Sequence, residues 1–554
     1  MSVLKWLLKT AAVTALLFAA FVLPVLLWIY APAYLALFFL FSACAAILFG
    51  AYIVSRAMPP EYKISWMFPA LIAPFLGGAL FLFFGNSRFG LKNDRSYTKK
   101  SLGLDAYLPA PAQGDGLFFE AAETIFCETG YPAARGDVSY YATGERFFDA
   151  LLSAIEGAKH FVFLEFFIAK KGVLWDRLER ILLCKAKEQT EIRLVLDDMG
   201  CLGGIRWRDC EALERAGVRI HYFNPVFRLD GVNNRTHRKL AVIDGQEGFL
   251  CGANIADEYI KGYGKFGYWK DTGVSVKGAC VANLTAMFLQ IWAMRYGQEA
   301  YRGYFPETPA GSGEVLLFSD SPVQSNAAAE HLYLALVRSA KKEVVFSTPY
   351  LLLDDKLLSA LSGAVKRGIA VRAILPAIPD KAAIYALTKQ NAERLMSFGA
   401  EVYIYTPGFN HAKMFAVDGR YAVVGTTNMD FRSFYLHFEC NAFFGGEAAK
   451  AVCRDLAEMT ADSERARIRD FAAGGLGKLG RGLLQIIQPL KKPPCRAAGR
   501  KNLSSLLRIE GFKPFGEHAF LKSNFLFQKA FDLIEGVKYE SLSVFIEDIR
   551  FQSI

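Results

Sequence analysis

Between residues 147 and 429 the same order of elements is written twice, and that duplication constrains this 554-residue chain more than any other feature. In the first pass an amphipathic helix near 148–158 leads to a strand at 160–168, a helix at 175–187 and a strand at 191–196. A helix ending at Ala216-Gly217, a strand at 218–223 and a last strand at 239–244 follow. The second pass runs through a helix at 327–340, a strand at 343–347, a helix at 356–367 and a strand at 370–375. It then has a helix ending at Gly399-Ala400 and strands at 401–405 and 414–418. Helices with 3.6-residue apolar spacing alternate with short Val/Ile/Leu/Phe runs, the pattern of a mostly parallel sheet covered by helices. The expectation is an α/β molecule of two similar lobes, separated by the linker 297–313 with Pro306 and Pro309.

Each pass ends in the same constellation. The first has His237, Lys239 and Asp244, with Asn254 seventeen residues after the histidine; the second has His411, Lys413 and Asp418, with Asn428 again seventeen residues on. One H-x-K-x4-D is a weak signal, but two at matching places in a repeat are a strong one. On a strand of period two the histidine and lysine of each set share a face. An imidazole beside an ammonium suits a phosphodiester: the ring attacks phosphorus or moves a proton, and the ammonium and the asparagine amide hold the non-bridging oxygens. If the lobes face each other about a pseudo-two-fold axis, the two imidazoles flank one phosphorus, one as nucleophile and the other as acid and then base.

The doubled motif resembles the phospholipase D superfamily over roughly residues 147–444. Further matches narrow the resemblance to bacterial cardiolipin synthases: Glu61-Tyr62-Lys63, Ser347-Thr348-Pro349-Tyr350, and Asn428-Met429-Asp430-Phe431-Arg432-Ser433-Phe434 followed by Phe438-Glu439. The resemblance implies two phospholipase D-type lobes, a phosphohistidine intermediate, and neither metal nor other cofactor. It implies that His237 attacks phosphatidylglycerol and that His411 protonates the departing glycerol. His411 then deprotonates a headgroup hydroxyl of a second phosphatidylglycerol, giving cardiolipin. Competing readings are a membrane-bound hydrolase or phosphodiesterase/nuclease with the same histidines, and a non-catalytic lipid-binding scaffold. Both complete motifs count against the scaffold, and the lack of a basic run with interleaved aromatics in the lobes counts against nucleic acid as a partner.

His237, Lys239, Asp244, His411, Lys413 and Asp418 are therefore the candidate catalytic set, although Asp244 and Asp418 stand at strand ends and suit a local charge network better than substrate contact. Asn254, Asn428, Asp271 and Glu439 are the candidate substrate-site residues. Glu439 lies twenty-eight residues beyond His411, and Asp271 has the comparable place in the first half. A carboxylate on one ring nitrogen fixes the tautomer of an imidazole. Cys251 departs from the small residue usual in Cys251-Gly252-Ala253-Asn254, while Gly425-Thr426-Thr427-Asn428 keeps a hydroxyl for the phosphate site. Glu165 and the Asp197-Asp198 pair are weaker candidates. His160, His221, His331, His437 and His518 lack a lysine two residues on and are read as structural or exposed.

The hydrophobic share of 53% calls for a lipid-embedded portion, and three charge-free segments, 11–30, 33–55 and 64–87, are each long enough to cross a bilayer. Pro69 and Pro74 predict a kink or a shallower insertion for the third. The net charge of +10 favours anionic partners, here phosphatidylglycerol and anionic membrane lipids. From 474 to 503 seven basic residues and no acidic one accompany an apolar stripe, an interfacial pattern whose alternative is an ordinary terminal helix. Basic residues between 88 and 100 and ten scattered cysteines favour catalytic lobes on the cytoplasmic face of a multi-pass cell-membrane protein. The expected division is an anchor at 1–90, lobes at 115–300 and 310–470, and a basic segment with a C-terminal extension at 474–554.

Overall fold

The computed structural model describes residues 22–56, 60–85 and 103–487, apart from breaks at 227–233, 261–262, 298, 310, 324–326 and 473, plus isolated positions 14, 15, 18 and 97. Residue 518, the basic residues at 88–100 and the stretch 488–554, including most of the basic segment and the C-terminal extension, lie outside the described residues.

Among the described residues, sixteen strands form one sheet rather than two. Its centre is the antiparallel pair Ala133–Tyr141 and Gly313–Asp320, which joins the halves directly. On one side the order continues through Gly273–Lys277, Glu247–Cys251, Leu240–Ile243, Phe161–Phe166, Glu191–Asp197 and Arg219–Phe223. On the other it runs through His437–Phe444, Tyr421–Gly425, Met414–Val417, Glu343–Ser347, Ala370–Pro376, Glu401–Tyr405 and Ser463–Arg465. The expectation of a mostly parallel sheet holds only in the two wings. Phe161–Phe166, Glu191–Asp197 and Arg219–Phe223 are parallel, as are Glu343–Ser347, Ala370–Pro376 and Glu401–Tyr405. Parallel neighbours need helical crossovers, and the helices fall in the wings; the short turns at Asp244 and Asp418 permit only antiparallel partners inside them.

The helices form where the pattern predicts. Gly144–Gly157 starts at Thr143, whose hydroxyl accepts the Arg146 amide at 3.3 Å, and it buries Phe147, Phe148, Leu151, Leu152 and Ile155 on one face. Each of these side chains contributes about 1.5–3 kcal/mol. Val281–Tyr296 is mostly apolar and buried almost throughout, as a core helix must be.

Towards the N-terminus, one helix among the described residues, Pro32–Ser55, is long and apolar enough to cross a membrane, with mean hydropathy 2.4 over its best window. The segment expected at 64–87 is not a continuous span. It breaks into Pro60–Ile72, Pro74–Leu80 and a last turn, Phe81–Gly85, because Ala73 leaves the helical region and Pro74 has no amide to continue the ladder. The pieces fold back on each other: a Cβ on Gly77 would lie 2.1 Å from the Pro69 carbonyl oxygen. Of the segment at 11–30, only the helix Leu23–Tyr30 and isolated positions are described.

Candidate active site

Both H-x-K triplets sit in breaks between strands, not within one, and each break marks a change of partner. Arg235–Thr236 pairs in parallel with His437–Phe438 of the other half, and the His237 amide donates to the Phe438 carbonyl at 2.8 Å. Two residues later the chain has returned to its own half, where the Cys251 amide donates to the Lys239 carbonyl at 3.2 Å. Gly408–Asn410 likewise pairs with Gly267–Lys270 of the first half, and the His411 amide donates to the Lys270 carbonyl at 2.8 Å. The Gly425 amide then reaches the Lys413 carbonyl at 3.4 Å.

Because each histidine strand lies against the opposite half, each imidazole meets the opposite half's carboxylate. His237 Nδ1 is 2.9 Å from Glu439 Oε2, and His411 Nδ1 is 2.6 Å from Asp271 Oδ2. The carboxylates counted from the histidine of their own half are thus exchanged. Both rings are thus tied to a carboxylate at Nδ1. The lysines bend back on their own histidines: Lys239 Nζ donates to the His237 carbonyl at 2.7 Å, and Lys413 Nζ lies 3.0 Å from His411 Nε2.

All of these groups are buried; His237 is 9% and His411 7% exposed. Burial, followed by the charges of Lys239, Lys413 and His411, holds the His237 imidazole well below its usual range. Burial and Lys413 push His411 down to about 4 against the upward pull of Asp271. Burial also lowers the Lys239 ammonium to about 7 and that of Lys413 to about 8. The arrangement is two neutral imidazoles beside two readily titrated cations, a receptor for an anion that reacts.

The remaining expected residues divide. Asp244 and Asp418 do not belong to this cluster. Each takes a left-handed conformation at the far end of its strand and binds backbone amides, Asp244 those of Lys159, His160 and Phe161, Asp418 those of Lys341, Lys342 and Glu343. Their carboxylates fasten a turn to the neighbouring strand. Asn254 has both ends of its amide engaged, accepting from Ile168 N at 3.1 Å and donating to Tyr259 Oη at 3.0 Å. Asn428 Oδ1 is buried without a hydrogen-bond partner. Of the two threonines in Gly425-Thr426-Thr427-Asn428, Thr426 donates its hydroxyl to Glu439 Oε2 at 2.5 Å and Thr427 accepts from the Asn441 amide at 2.8 Å. Cys251 is buried and its thiol faces the Ala253 carbonyl, while a Cβ on Gly252 would lie 2.3 Å from Asp271 Oδ1.

Glu165 and Asp197 act on the histidine segment from behind. Asp197 holds Arg235 in a fully buried ion pair at 2.8 Å and accepts the Thr236 amide at 3.1 Å; Glu165 accepts the Thr236 hydroxyl. Asp198 is tied to Val226 N and Arg206. His160 is exposed, and His331 pairs with Glu128 at 2.7 Å.

His437 was missed. It is buried, its ring centroid is 5.5 Å from that of His237, and its Nδ1 lies 3.5 Å from Glu439 Oε1, with Arg432 on Nε2 at 3.3 Å. Its spacing held the signal, since a residue two before Glu439 on a strand shares its face. His237, His437 and Glu439 bring donor atoms within 4.8 Å of one another, as a cation site would. The Arg432 guanidinium on His437 and two lysines beside His237 make the surroundings unfit for a cation. Arg432 belongs to the turn Phe431–Tyr435, and Phe431 stacks on Tyr62 at 5.5 Å. Two of the motifs that carried the finer resemblance therefore touch, one in the N-terminal helices and one at the site.

A family model described as "Cardiolipin synthase, PLD-like domain" matches residues 333–459. A Streptococcus mutans protein, itself described as uncharacterized, is 35% identical over 406 residues, covering 71% of this chain and 88% of its own. A cardiolipin synthase of Geobacillus kaustophilus is 31% identical over 447 residues, covering 76% and 88%. Among solved structures, the phosphatidylserine synthase of Haemophilus influenzae Rd KW20 shares the fold, with TM-score 0.52 and 14% identity over 68% of this chain and 98% of that one.

Proposed function

The chain belongs to the cardiolipin synthase family of phospholipase D-like phosphatidyltransferases, and on that premise we propose the route by which it makes cardiolipin from two phosphatidylglycerols. His237 Nε2 attacks the phosphorus of the first lipid while Lys239, Lys413 and the Asn428 amide hold the non-bridging oxygens. His411 gives its proton to the departing glycerol oxygen. In the second step His411 takes the proton of a headgroup hydroxyl of the second lipid, whose oxygen attacks phosphorus as the bond to His237 breaks. The products are cardiolipin and glycerol, and both histidines return to their starting state.

The observation that carries this reading is the exchange of carboxylates, His237 on Glu439 and His411 on Asp271, which ties the two imidazoles to one another's halves. The unequal fields support the assignment of roles. Burial and the surrounding lysine charges favour the neutral, nucleophilic form of His237, whereas at His411 Asp271 opposes the same downward push of burial and Lys413. A bound phosphodiester acts in the same direction as Asp271, readying His411 as the acid. Burial of both rings supports transfer over hydrolysis, because a closed site admits less water.

We read the halves as pseudo-two-fold mates, a reading supported by their identical pairing schemes: three parallel strands, then two antiparallel ones. We read the chain as a multi-pass cell-membrane protein with cytoplasmic lobes, a reading supported by the helix Pro32–Ser55, the charge-free segment at 11–30 and the basic residues at 88–100.

The test is to incubate the purified chain with phosphatidylglycerol in chelator and to follow cardiolipin, glycerol and phosphatidic acid together. Cardiolipin with equimolar glycerol is expected. Phosphatidic acid alone would indicate a hydrolase, and a requirement for divalent metal would overturn the mechanism.

A further inference from the structure

Transfer between two phosphatidylglycerols brings two phosphodiesters to one cleft, and the histidines with Lys239 and Lys413 account for one of them. The other stays intact. In the product a single glycerol joins the two, so the intact one must sit beside the reacting one.

Resting on the transferase reading above, we propose that Lys381, Tyr350 and Asp380 form the subsite for this acceptor lipid. Lys381 binds its phosphodiester, and Asp380 with Tyr350 Oη binds the glycerol hydroxyls.

Lys381 stands at the start of the helix Ala382–Ser397, just beyond the wing strand Ala370–Pro376. Its ammonium donates to Tyr350 Oη at 3.1 Å and lies 5.0 Å from the centre of that ring. Tyr350 Oη donates in turn to Asp380 Oδ2 at 2.6 Å, and Asp380 is 3.6 Å from Lys381, outside hydrogen-bond distance. An ammonium has three donors, and a neutral phenol takes one of them. A cation held on a phenol beside a carboxylate that accepts from alcohols matches a headgroup that is part anion and part polyol.

The position is right as well. Leu351 bridges to Met429, and the Leu352 amide donates to the Met429 carbonyl at 2.8 Å, which brings Tyr350 close to Asn428. The charge of Lys381 acts on His237, and that of Asp380 acts on Lys413 and Tyr259. Among the described residues the subsite has no mate in the first half: Ala169 bridges to Ile255 as Leu351 bridges to Met429, which puts the apolar Ile168 in the place of Tyr350. Donor and acceptor lipids play different parts, and a subsite on one side only is what that difference requires.

Apolar surface adjoins it. The helix Gly475–Ile487 buries Leu484 against Tyr350, Leu352 and Leu387 and packs on the helix Pro60–Ile72, whose Ile64, Phe68 and Ile72 are exposed. Acyl chains of the acceptor would leave along these two helices. In the step itself the acceptor's hydroxyl oxygen bonds to phosphorus, the P–N bond gives its electron pair back to His237 Nε2, and the proton passes to His411. Lys381 makes and breaks no covalent bond.

The test compares two acceptors in one assay with the full chain in mixed micelles: phosphatidylglycerol, read as cardiolipin, and labelled free glycerol, read as exchange into phosphatidylglycerol. Free glycerol carries no phosphate, so Lys381→Met should lower the ratio of cardiolipin to exchange about tenfold, through a raised KM for the lipid acceptor, and Lys381→Arg should restore most of it. Being a ratio, the readout is independent of how much variant folds. A wild-type chain that makes cardiolipin, with an unchanged ratio in Lys381→Met, overturns the subsite alone. A wild-type chain that yields phosphatidic acid and no cardiolipin overturns the transferase reading and the subsite with it.

Discussion

The two halves hold equivalent histidines by different means. Behind His237 lie buried charges, with Asp197 on Arg235 and Glu165 on Thr236; behind His411 the matching place is neutral, with Asn410 donating to Ser347 Oγ at 2.8 Å and to the Ile374 carbonyl at 3.1 Å. The carboxylates differ as well. Asp271 is short and closes on Gly252, where no side chain stands in the way; Glu439 is longer and meets the Thr426 hydroxyl. A repeat can therefore preserve the placement of a reactive nitrogen while exchanging the chemistry that fixes it, provided reach and close approach compensate.

The largest expected effect breaks or sustains the exchange of carboxylates. Glu439→Gln and Asp271→Asn should each lower kcat by about 10³–10⁴-fold, as when an imidazole loses its orienting anion. They should fail at different steps. In rapid-quench labelling with phosphorus-labelled lipid, Glu439→Gln should form no adduct, and Asp271→Asn should form one slowly and discharge it slowly. The reverse pattern would mean that each carboxylate serves its own half.

Next comes the contrast in support. Asp197→Ala leaves Arg235 buried and unpaired, at a cost of about 3–5 kcal/mol, whereas Ser347→Ala removes neutral hydrogen bonds worth about 1 kcal/mol. Chemical denaturation in detergent measures both, and equal losses would erase the distinction between charged and neutral support.

A smaller effect belongs to His437, which only the first histidine has as a neighbour. Glu439 Oε1 has no closer partner than its Nδ1 at 3.5 Å. His437→Leu should lower kcat about tenfold and His437→Asn should recover most of it, since an amide can supply the same donor. If Asn is no better than Leu, the ring serves packing alone.

The smallest effect is in pH. Burial lowers both lysines, so they are charged below and neutral above about 7 for Lys239 and about 8 for Lys413. Phosphate binding needs the charged forms, and kcat/KM should decline as pH rises through that range. A Lys239→Arg variant should decline only through the upper step; a profile flat across the range would remove the lysines from substrate binding.

Much of this was legible in the residues. The doubled H-x-K, the alternation of helices and strands, and the place of Asp271 and Glu439 follow from spacing, which side-chain chemistry and strand period dictate. The exchange between halves was not, because Arg235–Thr236 is two residues long and no apolar pattern of that length encodes a partner. The antiparallel centre was hidden for a related reason: strands buried on both faces look alike whatever their direction. Pro74 announced a break in the third apolar segment, but only packing reveals that the pieces fold back on Gly77. His437 was passed over because a search for repeated motifs discards a residue that occurs in one half.

The central claim, that one imidazole from each half meets a single phosphorus atom with His237 as the nucleophile, has a direct test. His411→Ala is incubated with phosphorus-labelled phosphatidylglycerol, quenched in alkali, digested and mapped by mass spectrometry, with His237→Ala alongside. A phosphoryl group on His237 in the first variant, and no labelled histidine in the second, is predicted. Label on another residue, or turnover retained by either variant, would contradict it.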